Sequence, residues 1–147
     1  MDHKKIMARL NRTMATIDGA YAAIAKKYGL TYNGLMAACL IADTTAITQK
    51  QIGDALQLSK STVHSILMDF VKQDQVVFTA GANKKEKYLL FTEAGTAFFA
   101  PVLKETDAFE ERILSALGET ACEQLVRTAT ELEEIIAHDG KIKEELQ

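Results

Sequence analysis

The segment from Thr48 to Lys72 constrains the fold most, because it holds two short helices with almost no chain between them. Thr48-Gln49-Lys50-Gln51 has the pattern of a capping box, in which the Thr hydroxyl accepts from the backbone of Gln51 and the Gln51 amide reaches back to the cap. A short helix follows, turns Ile52, Ala55 and Leu56 inward, and ends about Gln57. Only Leu58 then separates it from Ser59, a second N-cap candidate. The next helix is predicted from Lys60 to about Lys72, with Val63, Ile66, Leu67 and Phe70 on one stripe. Gly53 would let the two helices cross closely, over a small core of Ile52, Leu56, Leu58, Val63 and Ile66. Helices joined so tightly form a helix-turn-helix.

After Lys72 the helical period gives way to strand patterns. Val76-Val77-Phe78-Thr79 is β-branched and aromatic, and Tyr88-Leu89-Leu90-Phe91 is apolar with an aromatic at each end. Between them Gly81 and Asn83 turn the chain, and Lys84, Lys85 and Lys87 make the tip or return strand basic. A hairpin directly after a helix-turn-helix is a wing, here of two strands.

The flanks are helical. Ile6, Leu10, Met14, Ile17, Tyr21, Ile24 and Tyr28 form one stripe on a long first helix that Gly29 ends. Thr31 caps a second, almost wholly apolar helix through about Ala42, the pattern of a buried element. Thr92 caps a long helix through Phe98, Phe99, Leu103, Phe109, Ile113 and Leu117, in which Pro101 is expected to cause a kink or a break. A last helix after Gly118 carries Leu125, Leu132, Ile135 and Ile136. The fold class is therefore mainly α (α+β in detail): a winged helix-turn-helix lobe over 31–92, flanked by long helices over 1–30 and 93–147. The 147 residues suit a single domain, 1–147.

Composition narrows the classes further. With 48% hydrophobic residues the chain has enough apolar surface for a core, which excludes disorder over most of its length. The longest apolar run, Leu35 to Ala42, falls far short of the roughly 18 residues of a membrane span. No signal-peptide core interrupts Lys4, Lys5, Arg9 and Arg12, and a cytoplasmic location is expected. Cys39 and Cys122 form no CxxC, and His3, His64 and His138 have no metal-ligand spacing, so neither metal nor cofactor is expected. Cys39, between Ala38 and Leu40, reads as buried packing rather than as a redox-sensing thiol, and Cys122 lies beside the acidic Glu123. There is no GxGxxG, P-loop or GxSxG, and no nucleophile with a plausible base, so an enzyme is not expected.

The net charge of −3 hides an uneven distribution. Residues 1–47 carry +3 and residues 48–90 carry +2, whereas residues 101–147 carry −7. The local balance governs nucleic-acid binding, and it is positive over the helix-turn-helix and wing. The first turns after Ser59 direct Lys60, Ser61, Thr62, His64 and Ser65 outward. A helix N-terminus bearing Ser, Thr and Lys suits phosphates and major-groove base edges. Ser59 itself reads as a structural cap. His64 could meet a base, a phosphate or only solvent.

The stretch Thr48-Gln-Lys-Gln-Ile-Gly-Asp-Ala-Leu-Gln-Leu-Ser-Lys-Ser-Thr-Val, with the wing ending Lys87-Tyr-Leu-Leu-Phe-Thr-Glu-Ala-Gly95, resembles the MarR family of bacterial transcription regulators. The resemblance covers nearly the whole chain, and Phe-Thr-Glu-x-Gly is its most specific local feature. It implies a two-fold dimer built from the first and last two helices, a recognition helix at Lys60–Lys72 and a wing at Phe78–Leu90. It also implies an effector cleft between the dimerisation helices and the winged helix, which Tyr21, Tyr28 or Tyr32 could line, for a small aromatic or anionic molecule. Two departures stand out. The family's wing commonly carries Asp-x-Arg, and the matching residues here are Asn83 and Lys85. The family's recognition helix often carries Arg where Ser65 and Asp69 stand here.

The expected function is a homodimeric, sequence-specific DNA-binding regulator, a ligand-responsive repressor on a pseudo-palindromic operator. Ser59, Lys60, Ser61, Thr62, His64 and Ser65 would act from the recognition helix, Asn83, Lys84, Lys85 and Lys87 from the wing, and Thr48 and Lys50 in support. The alternative is a winged-helix dimer serving as a protein-interaction module without specific DNA binding.

Overall fold

The computed structural model describes residues 1–81 and 85–145. The elements are α1 (His3–Lys27), α2 (Tyr32–Asp43), α3 (Gln49–Leu56), α4 (Lys60–Lys72), β1 (Val76–Ala80), β2 (Lys87–Phe91), α5 (Glu93–Leu117), α6 (Glu119–His138) and α7 (Gly140–Glu145). They form two compact units, Met1–Thr106 and Asp107–Gln147, with the division falling inside α5.

In the first unit the start signals act as their chemistry dictates. Asp2, Thr31, Thr48 and Ser59 each accept a backbone N–H three residues on, and Thr48 and Gln51 complete the capping box. Gly29 takes a positive φ of 70° just after α1. The core centres on α2, whose Leu35, Ala37, Ala38 and Ile41 are buried; Ile24, Ile52, Val63, Leu67, Phe70, Val76, Leu89, Phe99 and Val102 close around it. Cys39, on the same helix, is half-buried rather than fully buried. Between α3 and α4, Ile52 and Val63 are buried while Leu56, Leu58 and Ile66 are half-buried. A Cβ on Gly53 would sit 3.3 Å from the Leu58 carbonyl oxygen and 3.5 Å from Val63 Cγ2, so the small residue sets how tightly the turn closes.

Strands β1 and β2 pair antiparallel in the register Val76↔Phe91 to Ala80↔Lys87. The hairpin is tied back to the start of α3, because Thr48 bridges Tyr88 and Leu89 donates its N–H to the Ile47 carbonyl at 2.9 Å. No strand pattern announces this attachment, since Ile47-Thr48 is too short to show a period.

A lock between the α4–β1 turn and the start of α5 gives the Phe-Thr-Glu-x-Gly sequence a physical meaning. Asp74 adopts φ 57°, and Gln75 donates its N–H back to Phe70 at 2.9 Å. The Gln75 carbonyl accepts from Thr92 N–H at 3.1 Å, while the Thr92 hydroxyl donates to the Asp74 carbonyl and accepts from Gly95 N–H. Beneath it Phe99 is fully buried, stacked on Phe91 at 4.9 Å and edge-on to Phe70 and Phe98 at 5.3 and 4.9 Å.

Pro101 does not break α5, contrary to one of the two outcomes expected from sequence: the helix is continuous from Glu93 to Leu117. Proline removes the bond to the carbonyl four residues back, that of Ala97. Both Pro101 and Ala97 are exposed, so water can satisfy that carbonyl.

The second unit comprises the end of α5 with α6 and α7. Gly118, at φ 93°, separates α5 from α6, and Asp139 caps the short α7, an element absent from the sequence reading. None of the described residues of this unit is buried. Leu114, Leu117, Leu125, Val126, Leu132, Ile135 and Ile136 are all at least 40% exposed. In the first unit Ile6, Leu10, Met14 and Ile17 on α1 are likewise exposed. Exposed apolar stripes of this size are uncommon on a monomeric protein in water. Among the described residues no helix is long and apolar enough to cross a membrane, and no group of His, Cys, Asp and Glu could hold a metal ion.

Candidate nucleic-acid interface

The first two turns of α4 present Lys60, Ser61, Thr62, His64 and Ser65, all exposed, while Val63 and Leu67 anchor the helix from beneath. Ser59 performs its capping role, accepting Thr62 N–H at 3.2 Å. Its hydroxyl also lies 2.8 Å from that of Thr62 and 3.3 Å from that of Ser61, so three hydroxyls cluster at the helix N-terminus. The free N–H groups and positive dipole end there favour an anion.

One participant escaped the sequence reading. Gln49, the first residue of α3, donates from its amide nitrogen to the Lys60 carbonyl and places its amide oxygen 3.3 Å from His64 Nδ1. Together with Ser59, Lys60, Ser61 and His64 it lines a shallow depression of about 620 Å³. Only the closeness of the two helix N-termini could have flagged it, and that is a tertiary fact.

The supporting residues are already engaged. Thr48 is half-buried, with its hydroxyl capping α3 and its backbone bridging Tyr88. Lys50 pairs with Asp54 one turn on at 2.9 Å, both ends largely exposed. On the wing, Lys85 and Lys87 are exposed, whereas Asn83 and Lys84 lie outside the described residues.

A separate cleft of about 680 Å³ opens in the first unit between the α1–α2 junction, α4 and the start of α5. Tyr28, Phe70 and Phe98 supply its aromatic lining, Ser65 and Asp69 come from α4, and Asp69 is the one charged side chain in the lining. Tyr21 and Tyr32 are not part of that lining; the Tyr32 hydroxyl donates to Asp18 at 2.9 Å, and burial followed by this carboxylate raises its pKa. Tyr28 donates to Glu105 at 2.6 Å, a bond that raises the phenol pKa and keeps it a donor. Lys27 pairs with the other oxygen of Glu105, and these two bonds hold the carboxyl below its ordinary range, Lys27 having the larger effect.

A carboxylate depressed in the folded state stabilises above its unfolded pKa and loses that contribution as pH falls through the folded value. Replacing Glu105 with Gln should therefore lower the melting temperature slightly at neutral pH. The gap from the parent should close as pH drops below about 4. A gap independent of pH would show that the ion pair is not its source.

A helix-turn-helix followed by a tied two-stranded wing is the architecture of a winged helix-turn-helix, and this chain has that fold. Comparison with solved structures narrows it further. A MarR family regulator from Neisseria meningitidis matches over 100% of both chains with a TM-score of 0.80 at 22% identity. CouR from Rhodococcus jostii bound to p-coumaroyl-CoA matches over 86% of this chain and 90% of its own, with a TM-score of 0.76 at 19% identity. The Staphylococcus aureus MepR–DNA complex matches over 92% and 98%, with a TM-score of 0.66 at 18% identity. No protein-family model matches the sequence, and no curated protein does either. The fold is that of the MarR regulators.

Proposed function

We propose that the chain is a MarR-family regulator that binds duplex DNA as a homodimer, without catalytic activity, and represses transcription from a pseudo-palindromic operator. The observation that carries this reading is the exposed array Lys60, Ser61, Thr62, His64 and Ser65 on the first turns of α4, beside a wing bearing Lys85 and Lys87. The MepR–DNA complex, on the same fold, supports it. Two such helices related by a two-fold axis would meet half-sites about 34–36 Å apart. In this organisation the lobe 31–92 contacts DNA, with Asn83 and Lys84 among its DNA-contacting residues, and residues 1–30 and 93–147 dimerise through the exposed stripes on α1, α5 and α6.

The cleft beside Tyr28 is the proposed effector site, with CouR bound to p-coumaroyl-CoA as its precedent on this fold. With Asp69 as the single lining charge, the cleft suits a neutral or cationic aromatic molecule better than an anionic one. An effector would act only through unequal affinity for two dimer shapes.

Selection of bound duplexes from a random pool tests the reading, with an enriched inverted repeat as the expected result. Lys85→Ala should weaken binding to all sequences and reduce the slope of log K against log salt by about one. An unchanged slope would remove Lys85 from the interface. The interaction-module reading draws on Asp54 and Asp69, two exposed acids on α3 and α4. DNA affinity that hardly falls with salt, and no enriched repeat, would favour it.

A further inference from the structure

We propose that Gln49 locks neutral His64 in the Nδ1-protonated tautomer, so that His64 is a specificity-determining residue reading a base edge through an accepting Nε2. The inference rests on the DNA-binding reading above and adds what this side chain recognises. Gln49 Nε2 lies 3.3 Å from the Lys60 carbonyl oxygen. A carbonyl only accepts, so the amide end facing it must be the NH2 group, and this decides the orientation of the Gln49 amide. The opposite end, Oε1, lies 3.3 Å from His64 Nδ1. An amide oxygen also only accepts, so Nδ1 must carry the hydrogen. A neutral imidazole has one N–H, which leaves Nε2 with a lone pair.

The location makes this tautomer consequential. His64 is exposed on the turn of α4 that also bears Lys60 and Ser61, and Gln49 reaches it from the N-terminus of α3. An accepting Nε2 is repelled by phosphate oxygens and by guanine, whose N7 and O6 both accept in the major groove. It pairs with the amino group of cytosine N4 or adenine N6. Phosphate anchoring then falls to the lysines and the hydroxyl cluster at the N-terminus of α4, and His64 is left to read sequence.

Two measurements test this. Long-range 1H–15N NMR of the free protein at about pH 8, where an ordinary imidazole is neutral, should show the Nδ1–H tautomer for His64. Gln49→Ala should move the population towards Nε2–H. In duplex selection at the same pH, one half-site position should favour C or A roughly tenfold. His64→Ala should lose that preference while keeping the rest of the repeat. Gln49→Glu keeps an oxygen that can only accept beside Nδ1, so the C or A preference should persist in that variant. An Nε2–H tautomer in the parent overturns the proposal. So does a His64-dependent preference for G or T, or a C/A preference that survives His64→Ala. A parent that enriches no duplex overturns the DNA-binding reading and the base reading with it, whereas the NMR result stands apart from both.

Discussion

Gly95→Ala is expected to destabilise the protein by about 3 kcal/mol or more, the upper part of the range for forcing atoms into a packed site. A Cβ there would lie 1.8 Å from the Gln75 carbonyl oxygen and 2.7 Å from its carbonyl carbon. Neither atom belongs to a side chain that could swing away. The same carbonyl accepts from Thr92, and Gln75 N–H is committed to Phe70, so moving the turn would loosen several hydrogen bonds together. The helix propensity of Ala, about 1 kcal/mol better than Gly, offsets only part of this loss. With a melting curve as readout, a drop of roughly 10 °C is expected. Gly19→Ala is the matched control. It lies inside α1, away from the apolar stripe, and nothing stands within 4 Å of its missing Cβ, so the same change should be neutral or slightly stabilising. Equal melting temperatures for the two variants would rule out the close approach at Gly95.

The second large effect concerns assembly. Leu125 and Leu132 lie seven residues apart on one face of α6, at 57% and 40% exposure. In a two-fold dimer a Leu125→Glu/Leu132→Glu variant places four carboxylates in the interface. Each buried leucine there is worth about 1.5–3 kcal/mol, so the lost burial alone is on the order of 6 kcal/mol. On the proposed assembly, sedimentation should show a dimer for the parent and a monomer for the variant, and operator affinity should fall by about a hundredfold or more, since a monomer holds one half-site. A variant that remains dimeric would move the interface elsewhere.

How much of this was legible in advance depended on the range of the interactions. Thr31, Thr48 and Ser59 cap the helices that their positions in the sequence predict, because capping is settled within three residues. The exposed array from Lys60 to Ser65 follows from helical period alone, given that Val63 and Leu67 face inward. Burial of Cys39 was overstated, because apolar neighbours in sequence do not decide which face of a helix meets the core. Of the tyrosines proposed for the cleft, Tyr28 lines it, whereas the hydroxyls of Tyr28 and Tyr32 are held by Glu105 and Asp18, groups distant in the chain.

By itself the sequence determined where the helices before α7 lie, that a hairpin follows a helix-turn-helix, which face of α4 is polar, and where positive charge collects. Periodicity, caps and local charge act over a few residues. The tertiary structure decided that Gln49 reaches His64, that the wing is tied to Ile47 and Thr48, and that Gly95 meets a backbone carbonyl. These depend on how close separate elements approach. That spacing is set by the packing of Ile52, Val63, Phe70 and Phe99, which no local pattern encodes.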